Sequence, residues 1–137
     1  MRTKLSVVVG GVGCFILLLS AMPAWAHHSF AAEYDSTKPI KLQGTVKKVE
    51  LINPHSWITI DVKRPDGTVE TWEIEAGAPN AIFRRGLTKD AIPIGMEIVV
   101  NGFEAKAGNH RANGLDLTLP DGKRLSLASS SEDKNAK

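Results

Sequence analysis

Four histidines, His27, His28, His55 and His110, are the residues of this chain whose chemistry best suits a metal ion. Two of them stand side by side in "MPAWAHHSF", residues 22–30, directly after an apolar run. A cut after Ala26 makes His27 the first residue. Its α-amine has a reference pKa of roughly 7.7–8.0 and its imidazole one of about 6.5, so both can lose a proton near neutrality. Together they can chelate one ion. Amine and imidazole nitrogens suit copper, which tops the affinity order of the divalent first-row metals.

A second imidazole is needed to complete three nitrogens in a T shape, an arrangement similar to the histidine brace of certain copper proteins. His55 is the best placed for this, because it follows Asn53-Pro54 in a rigid turn and not on a free tail. His28 is held in reserve, being awkward for the ion that its neighbour binds. A chain starting at Ala26 would put a histidine third and offer a square-planar site instead, and one starting at Trp25 would weaken both arrangements. Plainer readings carry more weight for each residue. A histidine pair beside a cut site is often only polar sequence, and ligand geometry is not visible in a sequence. His55 can hydrogen-bond locally in its turn, and His110, in "AGNHRANG", reads as a solvated loop residue.

Other chemistry is sparse. Trp57 alternates with Ile58 and Ile60, so it points to the outer face, where it could stack on a ligand. The preferred reading is that Phe30 and Tyr34 cover it, since an aromatic arm needs an apolar surface to dock on. Glu73 and Glu75 share a strand face and could serve as an acid–base pair, but they read as surface charge. Arg84 and Arg85 fall at the end of a short helix, where they offset its dipole. The chain has no G-x-S-x-G, H-E-x-x-H or C-x-x-C motif. No catalytic residue is assigned.

These residues need elements to position them. Met1-Arg2-Thr3-Lys4 is basic, Val7 to Leu19 is apolar apart from glycine and Cys14, and Ala24-Trp25-Ala26 fits the A-x-A pattern. That order predicts a cleaved signal peptide over residues 1–26 and a periplasmic or secreted product. The apolar run falls short of the ~20 residues of a comfortable membrane span, so no transmembrane span is expected in the mature chain. The sole cysteine, Cys14, would leave with the signal. So would Arg2 and Lys4, two of the 17 basic residues, leaving them matched with the 15 acidic ones. A neutral exported protein lacks the basic footprint that nucleic-acid binding requires.

Residues 27–128 read as one small β domain, with an extended arm over 27–38 and a disordered polar tail over 129–137. Ile40, Leu42, Gly44 and Val46 share one face of a first strand, and the phase flips near Lys47-Lys48 before Val49 and Leu51. Such a flip predicts a bulge or bend, which Gly44 would ease. "SWITIDVK" places Ile58, Ile60 and Val62 inward, Pro65-Asp66-Gly67 turns the chain, and "TVETWEIE" places Trp72 and Ile74 on one face. "APNAIFRRG" predicts a short helix capped by Asn80 and stopped by Gly86. "IPIGMEIVVNGFEA" and "GLDLTL" are further strands, and "DGKRLSL" a last hairpin arm. Three strands, a short helix and further strands, with a bent first strand, predict an OB-like antiparallel barrel of five to six strands, its helix between strands 3 and 4. An open sandwich is the alternative.

"HHSFAAEYD", "GTVKKVELINPHSWITIDV", "APNAIFRRGL" and "IPIGMEIVVNGFEAKAG" resemble a family of small exported bacterial proteins of unknown function. The resemblance implies an exported OB-like domain and brings no activity, ligand or catalytic residue. The expectation is therefore an exported binding module. Its ligand is a metal ion, with copper the first choice and His27, His55 and His28 its ligands, or an envelope protein partner contacted without metal. A copper-dependent redox enzyme at the same site is the remaining alternative.

Overall fold

The computed structural model describes residues 30–128. The predicted signal segment over residues 1–26, His27, His28, Ser29 and the predicted tail over 129–137 lie outside the described residues. The elements are α1 (Phe30–Glu33), β1 (Tyr34–Glu50), β2 (Ser56–Lys63), β3 (Val69–Ala76), α2 (Pro79–Arg84), β4 (Glu97–Ala105), β5 (Arg111–Thr118) and β6 (Arg124–Ser126). The fold is mainly β. All six strands form one sheet in the order β3-β2-β1-β4-β5-β6, and β3 also pairs with β5. That extra pairing is parallel, joining Glu73, Ile74 and Glu75 to Arg111, Ala112 and Asn113. The other pairings are antiparallel. The hydrogen-bonded neighbours thus run in a ring, β1-β2-β3-β5-β4 and back to β1.

Alternation decides what the ring encloses. Ser56, Ile58, Ile60 and Val62 of β2 are buried, and the residues between them are half-buried. Trp72 and Ile74 from β3, Leu42 and Val46 from β1, Ile98 and Val100 from β4 and Leu117 from β5 pack into the same core, as do Ile82 of α2 and Leu87 and Ile92 beyond it. Fully burying each Val, Ile or Leu side chain contributes about 1.5–3 kcal/mol relative to leaving it exposed.

The predicted phase flip in β1 is a bulge. Val46 pairs with Ile60 and Lys48 with Thr59, so Lys47 is the extra residue. Gly44 lies just before it, at a close strand approach: a Cβ there would stand 2.7 Å from the carbonyl oxygen of Asp61. The β2–β3 turn forms at Pro65-Asp66-Gly67 as expected. The Arg64 amide donates to Thr68 at 2.8 Å, Gly67 has φ of 88°, and Asp66 Oδ1 accepts from the Thr68 amide.

Three local expectations change. First, α2 is not capped by Asn80. Its N-cap is Ala78, without a side-chain cap bond, and Pro79 opens the helix. Proline fits there because the amide it lacks would have had no helical partner. Gly86 ends the helix as predicted, at φ of 92°. Second, residues 93–96 form a turn, whose Gly95 and Met96 bond to Val46, so β4 starts only at Glu97. Third, the described part of the arm is not extended throughout. Phe30–Glu33 is a helical turn and Tyr34 already pairs with Ala105; the register with β4 then breaks and resumes at Pro39–Phe103. Among the described residues no helix is long and apolar enough to cross a membrane.

Candidate functional site

Residues directly opposite in paired strands share a face. Trp57 lies opposite Glu75, Glu75 beside Asn113, and Asn113 opposite Phe103. Trp57 and Glu75 alternate with the core residues Ile58 and Ile74, so this row lies on the outer face of the ring. A carboxylate there should meet water. Glu75 instead is only 6 % exposed. This corrects the reading of Glu75 as surface charge, while Glu73 does lie on the surface and pairs with Arg111 at 3.2 Å.

The cover is the start of the described chain. α1 turns back over the outer face, and Tyr34, 3 % exposed, follows it. Phe30 packs against both Tyr34 and Phe103, each with ring centroids 5.7 Å apart. The Glu33 carbonyl accepts from the Lys106 amide at 2.9 Å, fixing the turn to the β4–β5 connection. A recess of ≈ 260 Å³ lies alongside, lined by Glu33, Tyr34, Lys106, Asn109 and Arg111 among others.

Beneath this cover Glu75 bridges two groups distant in sequence. Tyr34 donates its hydroxyl to Oε2, and His55 Nδ1 meets Oε1. Burial, and then the bond to Glu75, pushes the Tyr34 phenol well above its ordinary range, so it remains a donor. A carboxylate offers only acceptors. In the neutral imidazole this contact places the proton on Nδ1 and leaves Nε2 as the nitrogen that can accept a ligand. The His55 side chain remains 40 % exposed, enough for a ligand to approach. It sits between the cis Asn53–Pro54 peptide and the first residue of β2, whose amide is tied to Gly77 at 3.1 Å.

The other candidates lie elsewhere. Trp57 is half-buried, but the ring contacts of Phe30 and Tyr34 go to each other and to Phe103. Arg111 lies over Trp57, its guanidinium carbon 4.9 Å from the ring centroid. The parallel β3–β5 seam brings it there, because it sets Arg111 opposite Glu73, two residues along β3 from the partner of Trp57. His110, at φ of 53°, stacks on Trp72 at 5.1 Å and lies 3.9 Å from Glu70 Oε2. Glu70 also pairs with Arg64 at 2.5 Å, and that partner holds its carboxyl below the usual range. Among the described residues no group of three or more His, Cys, Asp or Glu could hold a metal ion. His55 is the one predicted metal ligand within them.

Tyr34 and Glu75 were missed as members of the site. The available signals were slight: a lone tyrosine in the arm, and a glutamate set between Ile74 and Ala76. A family model described as a family of unknown function (DUF6152) matches residues 16–115. A search of the curated proteins finds no match.

Proposed function

Because the chain belongs to this family of unknown function (DUF6152), we propose its role from its own residues. It is an exported, periplasmic or secreted binding module, an OB-like β-barrel that takes a metal ion, copper first, through His55 and an N-terminal His27. The barrel reading is supported by the ring of strand pairs, the parallel β3–β5 seam and the helix between β3 and β4. Export is supported by the basic, apolar and small-residue order of residues 1–26.

The observation that carries the metal reading is the contact of His55 Nδ1 with buried Glu75. Metal-binding histidines almost always give their other ring N–H to a carboxylate, a carbonyl or water, which fixes the tautomer and raises the basicity of the binding nitrogen. His55 has that partner. Phe30 is anchored on Tyr34 and Phe103, and Tyr34 shares Glu75 with His55. The amine and imidazole of His27 would join His55, with His28 in reserve.

The test starts from protein taken from an exporting host. Its denatured mass fixes the first residue, and its non-denaturing mass shows any bound ion. Copper is then titrated into the wild type and into His55→Ala and His27→Ala. One copper per chain is expected in the wild type. Each variant should bind at least about tenfold more weakly, since losing even an outer-shell partner costs that much. A chain starting at His27 that takes up no copper would sink the metal reading and leave contact with an envelope protein as the function to pursue.

A further inference from the structure

The recess beside α1 has a chemistry of its own. Its ≈ 260 Å³ are bounded by α1 and Tyr34 on one side and by the β4–β5 connection on the other. Lys106, Asn109 and Arg111 bring hydrogen-bond donors to the lining, and Glu33 brings a carboxylate. Three alanines and Tyr34 make up the rest. Sites for small molecules are concave and largely apolar, with a few placed polar groups. Lys106 and Asn109 are exposed, so solvent reaches this lining.

The fold holds both cations in place. The Lys106 amide donates to the Glu33 carbonyl at 2.9 Å, and Nζ donates to the Ala31 carbonyl at 2.6 Å. The ammonium keeps further protons for other acceptors. Arg111 is fixed twice. Its guanidinium carbon stands 4.9 Å from the Trp57 ring centroid, and Nη2 donates to Glu73 at 3.2 Å. Its Nε is buried and meets no acceptor among the described residues. A buried donor without an acceptor is costly. An anionic oxygen satisfies it best, because a charge-assisted hydrogen bond is stronger than a neutral one.

We propose, independently of the metal reading, that this recess binds a small organic carboxylate. Its oxygens take the Nε proton of Arg111 and a proton of the Lys106 ammonium, and its short apolar part lies against the alanines. Two cationic side chains and one carboxylate in the lining suit a single negative charge. Glu33 repels a dianion such as phosphate more strongly than it repels a monoanion.

The test uses the full mature chain without added metal. Sodium acetate, sodium butyrate and sodium phosphate are the probes, with sodium chloride at matched ionic strength as the reference. The Nε–H resonance of Arg111, assigned by its loss in Arg111→Gln, reports the site in the wild type. The backbone amides of Lys106 and Asn109 follow binding in the variants. Acetate and butyrate should shift these resonances in a saturable way. Butyrate should bind more tightly, by about threefold to fourfold for each methylene that it buries, and phosphate should bind more weakly than either. Arg111→Gln should weaken binding about tenfold to a hundredfold, the value of a hydrogen bond to a charged group. Lys106→Gln, at an exposed position, should weaken it by about tenfold and serves if Arg111→Gln fails to fold.

Shifts that chloride reproduces would reduce the effect to charge screening and overturn the site. So would carboxylate titrations that never saturate, or phosphate binding as tightly as butyrate. Carboxylate affinity unchanged in Arg111→Gln or in Lys106→Gln would overturn the roles given to these cations.

Discussion

Alkaline titration is expected to ionise Tyr34 only as the protein unfolds. Tyr34 is the one tyrosine of the chain, so phenolate absorbance in the ultraviolet reads this group alone. Burial, followed by the hydrogen bond to Glu75, raises its pKa far above the ordinary 10.0. The unfolded chain releases the phenolic proton near pH 10 while the folded chain retains it. Above about pH 10 the unfolded state therefore binds fewer protons, and stability falls as pH rises, by up to about 1.4 kcal/mol per pH unit. The contribution is fully present below pH 10 and is lost on the way up to the folded pKa. Circular dichroism and phenolate absorbance should change together. Phenolate appearing near pH 10 in a folded protein would contradict the burial of Tyr34. Tyr34→Phe should remove this part of the alkaline loss.

The largest single loss of stability is expected from Gly102→Ala. Gly102 sits on β4 where its register with β5 shifts, opposite Gly114. A Cβ at this position would stand 2.1 Å from the carbonyl oxygen of Asn113 and 3.2 Å from the Cα of Gly114. Both are backbone atoms of a central strand and cannot swing aside as a side chain can. The strands would have to separate, and β5 carries the seam to β3. A cost above about 3 kcal/mol is expected, beyond the usual penalty for overpacking a core. A urea midpoint measures it. Gly67→Ala is the control: nothing lies within 4 Å of its Cβ, so only the backbone at φ of 88° opposes it, at about 1–2 kcal/mol. If the two variants lost equal stability, the close approach of β4 and β5 would be wrong.

The parts of the fold that follow from alternation were legible in the sequence. Ile58, Ile60 and Val62 point inward, Pro65-Asp66-Gly67 turns the chain, and the flip near Lys47 is a bulge, because side-chain period and turn chemistry are local properties. The short helix was legible too, but its cap was not: Asn80 and Pro79 both signal a helix start, and proline prevailed. Glu75 was misread for a different reason. Its alternation with Ile74 does put it on the outer face, yet whether that face meets water depends on α1, some forty residues earlier in the chain. The same dependence hid Tyr34, and the contact of Arg111 with Trp57 likewise comes from a strand pairing distant in sequence. The site is assembled from tertiary contacts that no local pattern encodes. His55 could be named from its turn, while the carboxylate that orients it could not.

The ring of strand pairs also limits how this protein can meet another. Backbone amides and carbonyls at a sheet margin can template an added strand from a partner, with affinity drawn from main-chain bonds. Here β1, β2, β4 and β5 each have a neighbour on both sides. What remains among the described residues is β6, three residues long and paired only with β5, the first residues of β3, paired only with β2, and the first part of β1, paired only with β4 up to Thr45. The margin of β1 is the longest of these, and Pro39, which has no amide to donate, interrupts it. A partner that adds a strand is therefore confined to this margin, while one that reads the outer surface has its specificity set by the side chains displayed there, which could change without disturbing the fold.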